Sequence, residues 1–405
     1  MELVAENFKQ TEVGLIPSDW EVKELGEICF PSKTRINPIT SSKSYKCIEL
    51  EHLAQGSGIL LGYVNSDELK SQKSVFEEGD VLFGKLRPYL RKYYLADFDG
   101  VCTTEIWVLK SENETFNGFL YQLIQGNRII EAANLSTGTK MPRAEWKTVS
   151  ETKIPVPTKP EQTAIATALS DADALISSLE KLIIKKRNIK QGAMQKLLQP
   201  KEGWEVKRLP EIVWFQEGPG VRNSQFTSSG VKLLNGTNIE DGKLILDKTD
   251  RYISENEAYG WYSHFLVDDG DILIACSGVT IDKFDEKVTI ANTTHLPLCM
   301  NTSTMRFKII SSSLSKNYFL HFLKSKSFKQ QIGGKATGSA QLNFGPSHVK
   351  MVDISLPNLQ DQENIATILS DMDAEISALE IKLEKYRKVK LGMMQNLLTG
   401  KIRLV

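Results

Sequence analysis

The sequence predicts an α+β chain. Two globular, mixed α/β domains are expected, joined by two long helices that pair as an antiparallel coiled coil, the whole forming a pseudo-two-fold repeat. Three observations carry that expectation. The chain repeats itself at an offset of 200 residues: Thr137–Leu198 aligns with Thr337–Leu398 without a gap, and 23 of the 45 positions in Ile154–Leu198 match their counterparts in Ile354–Leu398. Each copy carries a single apolar stripe of helical period. The segments between the copies are unlike each other, although a shorter echo places WEVKEL at Trp20 and WEVKRL at Trp204. A duplicated scaffold with two different inserts suits one task performed on two different targets.

The first globular domain is expected over residues 1–157. Strands are read at Asp80–Phe83 and Glu105–Leu109, and short helices near Asn117–Ala133. A long helix then covers 158–199. It starts at Thr158-Lys159-Pro160-Glu161, which has the form of a capping box with proline near the first turn, and it stops at Gln199-Pro200. The second domain is expected over 200–357, with strands at Asp271–Ile274 and Thr304–Lys308 and short helices near Ser315–Ile332. Gly79-Asp80 and Gly270-Asp271 mark a turn ahead of a strand in each insert, which points to one fold beneath diverged sequences. The second long helix falls within 358–405, with Asn358 and Asp361 in the capping positions and Thr399-Gly400 at its close.

Along the first helix Ile165, Leu169, Ala172, Ile176, Leu179 and Ile183 step by four and three. Along the second, Ile365, Leu369, Met372, Ile376, Leu379 and Leu383 do the same. This is the a/d seam of a coiled coil. A helix with one apolar stripe needs a partner: its own globular domain, or the other helix. About 38 residues give roughly 57 Å of helix, more than the width of a small domain, and favour the helix pair. IPVP (Ile154–Pro157) and ISLP (Ile354–Pro357) form a short extended exit from each domain.

Bulk composition narrows the class. The chain has 405 residues, 41% hydrophobic and 25% charged, with zero formal net charge, so two or three domains are expected and no global nucleic-acid signature is present. Cys29, Cys47, Cys102, Cys276 and Cys299 are an odd number without CxxC spacing, which speaks against a disulfide framework or a zinc cluster and suits a reducing cytoplasm. No apolar run approaches the roughly 20 residues of a membrane helix, and the polar start MELVAENFKQTEVG does not read as a signal peptide.

No catalytic constellation persuades. PSDWEVK (Pro17–Lys23) bears a surface likeness to a PD…ExK nuclease. Such a site needs its acids on different strands, whereas Asp19, Glu21 and Lys23 lie on one, and the echo near Trp204 has Gly203 in place of Asp19. The segment reads instead as the incoming strand of the duplicated scaffold. Gly334-Lys335 is followed by Ala336, so there is no phosphate-binding GxxxxGK[ST] loop. His52, His264, His295, His321 and His348 lack metal-ligand spacing.

Charge is more informative. From Lys287 to Val352 there is no acid in 66 residues, but nine Lys or Arg. Lys85-Leu86-Arg87-Pro88-Tyr89-Leu90-Arg91-Lys92 holds four cations, no acid and an interleaved tyrosine. Phosphates are the expected partner of such segments, with a solvated basic face as the alternative. Two polar glycine loops, Ser136–Lys140 and Ala336–Asn343, sit at matching places, and their amides and hydroxyls suit phosphates and base edges.

These features together resemble the specificity subunits of type I restriction–modification systems. The likeness covers almost the whole chain. It rests on GLIPSDWEVKELGEI, GDVLFGKLRPYLRK, IPVP with EQ and IATALSDADALI, then ISLP, DQENIATILSDMDAEI and KYRKVKLGMMQNLLTGK. The resemblance implies two target-recognition domains, each reading one half of a split DNA site, with the helix pair setting the spacer. It implies two modification subunits that carry S-adenosylmethionine and methylate adenine, a restriction and translocase subunit that uses ATP and Mg, and no cofactor or catalytic residue in this chain. Lys140 and Met141 stand where the second loop has Ala340 and Gln341, a departure that leaves the two loops' contacts unequal.

On charge, loop chemistry and position, the residues expected on DNA are Lys85, Arg87, Tyr89, Arg91, Lys92, Thr137, Thr139, Lys140 and Arg143 in the first domain. In the second they are Ser277, Thr280, Lys335, Thr337, Ser339, Gln341 and Asn343. The basic stretches Lys185, Lys186, Arg187, Lys190 and Lys385, Arg387, Lys388, Lys390 suit either the partner or the DNA. The alternatives are the specificity subunit of another type of restriction–methylation enzyme and a purely structural coiled-coil adaptor, which would not need acid-free inserts.

Overall fold

The computed structural model describes residues 7–41, 43–112, 115–135, 141–247, 249–333 and 341–404. It divides into two compact units, Met1–Lys181 with Ile381–Val405, and Leu182–Glu380. The division cuts through both long helices, so each unit owns one half of each.

After a short hairpin of Phe8–Thr11 with Gly14–Pro17, the main strands of unit one are β1 (Glu21–Glu24), β2 (Cys29–Pro31), β3 (Lys46–Ile48), β4 (Lys73–Phe76), β5 (Val81–Gly84), β6 (Tyr93–Leu95), β7 (Gly100–Thr103) and β8 (Ile106–Ser111). Helices α1 (Asn117–Ile124) and α2 (Asn127–Asn134) and the exit strand β9 (Lys153–Val156) lead into the long helix α3 (Lys159–Leu197). Unit two repeats the plan with β10 (Glu205–Arg208), β11 (Val213–Glu217), β12 (Val231–Leu234), β13 (Ile272–Ala275), β14 (Val279–Thr280), β15 (Val288–Ile290), β16 (Leu298–Met300) and β17 (Thr304–Ile309). Then come α4 (Lys316–Leu323), α5 (Lys326–Gly333), β18 (Gln341–Leu342), β19 (Asp353–Leu356) and the second long helix α6 (Leu359–Leu397).

The inserts share one topology. Unit one has an antiparallel sheet in the order β6-β5-β8-β2, and unit two has β15-β13-β17-β11. Each unit also holds a parallel pair, β3 with β7 and β12 with β16. The central strand β5 reads VLFG and β13 reads ILIA; every residue of both is buried, as an apolar run enclosed on both faces should be. The Gly-Asp turns expected ahead of these strands are built alike. Gly79 and Gly270 adopt φ of +89° and +80°. Asp80 then accepts the Glu77 N–H at 2.8 Å, and Asp271 accepts the Asp268 N–H at 2.9 Å. The WEVK echo forms β1 and β10, and each pairs antiparallel with its exit strand, β9 or β19, closing the base of its domain.

The repeated Gln of the EQ and DQ motifs joins helix to domain. Gln162 accepts the Phe116 N–H ahead of α1 at 3.0 Å and donates to the Pro157 carbonyl. Gln362 accepts the Ser315 N–H ahead of α4 at 2.8 Å and donates to the carbonyls of Pro357 and Ser313. Both glutamines are buried. Their neighbours diverge. Asn358 accepts the Asp361 N–H and caps α6. Glu161 forms no such box: it is fully buried, takes the Trp20 indole N–H at 2.8 Å, and is held by the Arg403 guanidinium, which also grips Asp19. Arg403 holds the Asp19 carboxyl below its usual range.

Both packing readings of the apolar stripe hold, on different turns of each helix. Ile165 and Leu169 join the core of unit one with Phe119, Leu120 and Trp20, and Ile365 and Leu369 join that of unit two. Further along, Leu179, Ile183, Ile376 and Leu383 are buried, whereas Ile176, Met372 and Leu379 are half-buried. Ion pairs fix the antiparallel sense within each unit. In unit one Lys390 meets Asp173 at 2.6 Å and Arg387 meets Glu180 at 2.7 Å. In unit two Arg187 meets Glu380 at 2.6 Å, Lys186 meets Glu375 at 2.6 Å, and Lys190 meets Asp373. Five of the eight cations that had suited partner or DNA therefore belong to the helix pair itself.

Candidate nucleic-acid interface

Seven of the residues expected on DNA, Lys85, Arg87 and Arg143 in unit one and Ser277, Thr280, Gln341 and Asn343 in unit two, lie at one construction present in both units. In unit one the segment after β5 lies beside the segment after the first glycine loop. Leu86 bridges Arg143, the Arg87 N–H donates to the Pro142 carbonyl, and the Ala144 N–H donates to the Lys85 carbonyl at 2.8 Å. In unit two β14 pairs with β18, and the Phe344 N–H donates to the Cys276 carbonyl at 2.9 Å. The third side also matches: the Lys85 N–H meets the Glu105 carbonyl, and the Cys276 N–H meets that of Ser303. Lys85 thus corresponds to Cys276, Arg87 to Gly278, and Arg143 to Asn343.

Conformation supports the correspondence. Gly278 has φ of +70°, and Arg87 holds φ of +52°, in the left-handed region that an arginine avoids at a cost of about 1 kcal/mol. The Arg87 side chain is exposed and has no partner among the described residues. Lys85, half-buried, and Tyr89, 53% exposed, are also without side-chain partners there. Arg91 and Lys92 differ. Arg91, also left-handed, donates to the Gln125 carbonyl at 3.2 Å and Asn127 Oδ1 at 2.6 Å, and it lines a cleft of about 1060 Å³. Lys92 donates to the Leu50 carbonyl at 2.6 Å. Arg143 is exposed and meets Glu105 at 3.1 Å.

In unit two Thr280 and Gln341 are exposed neighbours across the strand pair, without side-chain partners among the described residues. Asn343 Oδ1 accepts from Ser277 Oγ at 3.0 Å and from the Gly278 N–H at 2.8 Å, which orients both loops and leaves its amide nitrogen free to donate. Thr137, Thr139 and Lys140, and Lys335, Thr337 and Ser339, lie outside the described residues.

Among its described residues, the acid-free run Lys287–Val352 does not form a continuous basic face. Arg306 is buried against Asp271, Gln216 and the carbonyls of Leu266 and His264. Lys308 pairs with Asp268 and Asp271, and Lys329 with Asp285 at 3.9 Å. Lys287 donates to the carbonyls of Gly236 and Ile239. Acids from outside the run are folded onto it, which a linear tally of charge does not register. Sequence reasoning also passed over Gln162 and Gln362, although both lie in the repeated motif. Among the described residues, no group of three or more His, Cys, Asp or Glu could hold a metal ion, and all five cysteines are buried free thiols.

The profile of the type I restriction modification DNA specificity domain matches residues 17–187 and again residues 201–385. The chain belongs to that family. It is a specificity subunit with two target-recognition domains, and DNA recognition is the family's role. The specificity subunit of the type I restriction enzyme MjaVIII of Methanocaldococcus jannaschii is 26% identical over 421 residues, covering 98% of this chain and 96% of the relative. The EcoDI specificity subunit of Escherichia coli is 26% identical over 179 residues, 44% of this chain and 40% of that one. Two solved structures share the fold. One, from work on complex assembly and conformational transition of the type I R-M system, has a TM-score of 0.59 at 19% identity and covers 96% of this chain and 99% of its own. The S subunit from M. genitalium has a TM-score of 0.57 at 16% identity, covering 94% and 96%.

Proposed function

We propose that this chain is the non-catalytic reader of a type I restriction–modification complex, with each unit reading one half of a bipartite, asymmetric DNA site. The loop pair repeated on two diverged inserts carries the proposal: one scaffold presents Lys85, Arg87 and Arg143 in unit one, and Ser277, Thr280, Gln341 and Asn343 in unit two. Cations suit phosphate and guanine acceptors, whereas amides and hydroxyls suit adenine and mixed edges, so the half-sites differ.

The helix pair sets the spacer and docks two modification subunits. S-adenosylmethionine, and ATP with Mg, belong to the partner subunits, and the complex works in the cytoplasm. No helix among the described residues is long and apolar enough to cross a membrane. The cleft beside α3 and α6 in unit one supports the docking role. Its walls include Ile16, Leu123, Ile176 and Met394, and Leu15 and Leu391 at its edge are 53% and 52% exposed.

The experiment is duplex binding by the complex purified with its modification subunits. Arg87→Ala is expected to weaken binding to all sequences alike if it holds a phosphate, and Gln341→Ala to weaken the cognate site alone. Unchanged affinity and unchanged preference in both would remove the loops from the interface.

A further inference from the structure

Glu217 lies beside the paired loops of unit two. It ends β11, and a methyl group built on Gly345 would meet its Oε2 at 3.2 Å. Its charge also bears on Cys276, the residue before Ser277. The carboxylate is half-buried and has no hydrogen-bond or ion-pair partner among the described residues. Burial alone raises its pKa above the ordinary carboxylate value. An acid in such a place is partly withdrawn from water with no compensating partner among the described residues, and near a phosphate backbone it also repels. Residues that lower stability in this way collect at functional positions.

Strand register supplies the second observation. β11 pairs with β17 so that Glu217 faces Met305, and β2 pairs with β8 so that Pro31 faces Leu109. Leu109 and Phe307 are matched positions, because they face Val81 and Ile272, each the residue after its Gly-Asp turn. Counting two residues outward from Pro31 places Lys33 of unit one where Glu217 stands in unit two. Lys33 is exposed and likewise without a partner among the described residues. One place in the shared scaffold therefore carries opposite charges in the two domains.

We infer that Glu217 is a specificity-determining residue whose carboxylate accepts a hydrogen bond from the N4 amino group of a cytosine in the half-site read by unit two. The inference rests on the placement of the β14–β18 loops against DNA. A carboxylate only accepts, so it requires a donor edge. In the major groove the cytosine edge presents its amino donor without an acceptor on the same base, whereas adenine sets N7 beside its amine and would repel the charge. Lys33, a donor only, suits the guanine acceptors at the matching place in the other half-site.

The test is a genomic base-modification map from cells that hold the cognate modification subunits and either the wild-type chain, Glu217→Gln or Glu217→Lys. The wild-type map defines the motif. If it shows no chain-dependent motif, the DNA-reading function itself fails, independently of Glu217. Given a motif, Glu217→Gln is expected to relax one cytosine position of a single half-site by about tenfold, admitting adenine, which a glutamine amide can pair. Glu217→Lys is expected to shift that position toward guanine. The other half-site stays unchanged, and the Gln variant melts no lower than wild type. An identical motif in both variants, or an equal loss of modification at every site with the chain soluble and in complex, would overturn the inference.

Discussion

At the scale of single residues, two side chains report on opposite demands. Arg87 keeps a left-handed backbone that its partner position in unit two gives to Gly278. Arg87→Gly relieves that conformation, so the variant is expected to melt at the wild-type temperature or slightly above it while binding cognate duplex more weakly, checked by thermal melting and a binding titration on one preparation. His321 is a buried titratable group away from the paired loops. It is 1% exposed on α4, with Nε2 3.1 Å from Ser370 Oγ, and its pKa is lowered to about 4 by burial first, then by Lys324 and Lys190, with Asp373 opposing. The unfolded chain binds this proton near pH 6.5 and the folded one does not. The contribution of the neutral ring is therefore complete above pH 6.5 and is lost as pH falls toward 4, by about 3 kcal/mol in all. Gln122 fills the corresponding place in unit one. His321→Gln is expected to flatten the fall in melting temperature between pH 7.5 and pH 5, and an equal fall in both proteins would count against it.

At the scale of elements, buried polar contacts tie each long helix to its domain. Gln362 makes three hydrogen bonds in a buried setting. Gln362→Ala strands the Ser315 N–H and two carbonyls, and is expected to cost about 3 kcal/mol, measured as a lowered denaturant midpoint. Arg403→Met leaves Glu161 buried with the Trp20 indole as its remaining partner, and should destabilise unit one by an amount of the same order. The long helices, their seam and the strands at residues 81–84, 106–111, 272–275 and 304–309 were legible because period and burial speak through local pattern. The pairing of Glu161 with Arg403 was not legible: a Glu three residues after a Thr reads as a capping box, and nothing local points to an arginine 242 residues away. The acid-free run misled for the same reason, since Asp268, Asp271 and Asp285 reach its cations only through the fold. In the candidate interface, repetition at the 200-residue offset marked the two glycine loops in the sequence, most of whose residues lie outside the described ones. The pairing of the segments that follow them with the segments after β5 and β13 carried no local signal. Lys33 and Glu217 stayed hidden, because a lone charge at a strand end carries no pattern.

At the scale of the whole molecule, the repeat supplies one scaffold and the inserts supply two chemistries. If the helix pair sets the spacer, inserting seven residues at facing points of α3 and α6 adds about 10 Å of helix, or about three base pairs of DNA. Both half-sites are expected to stay the same while the gap between them widens by about three, seen by mapping the modified motif. A changed half-site with a constant gap would assign the spacing to the domains instead. The central claim is that this chain dictates where its partners modify DNA. The most direct measurement is a genomic base-modification map from cells with the cognate modification subunits, with and without this chain. The account requires a chain-dependent mark on a split, asymmetric motif. An unchanged map, with both proteins expressed and in complex, would contradict it and leave the chain a structural adaptor.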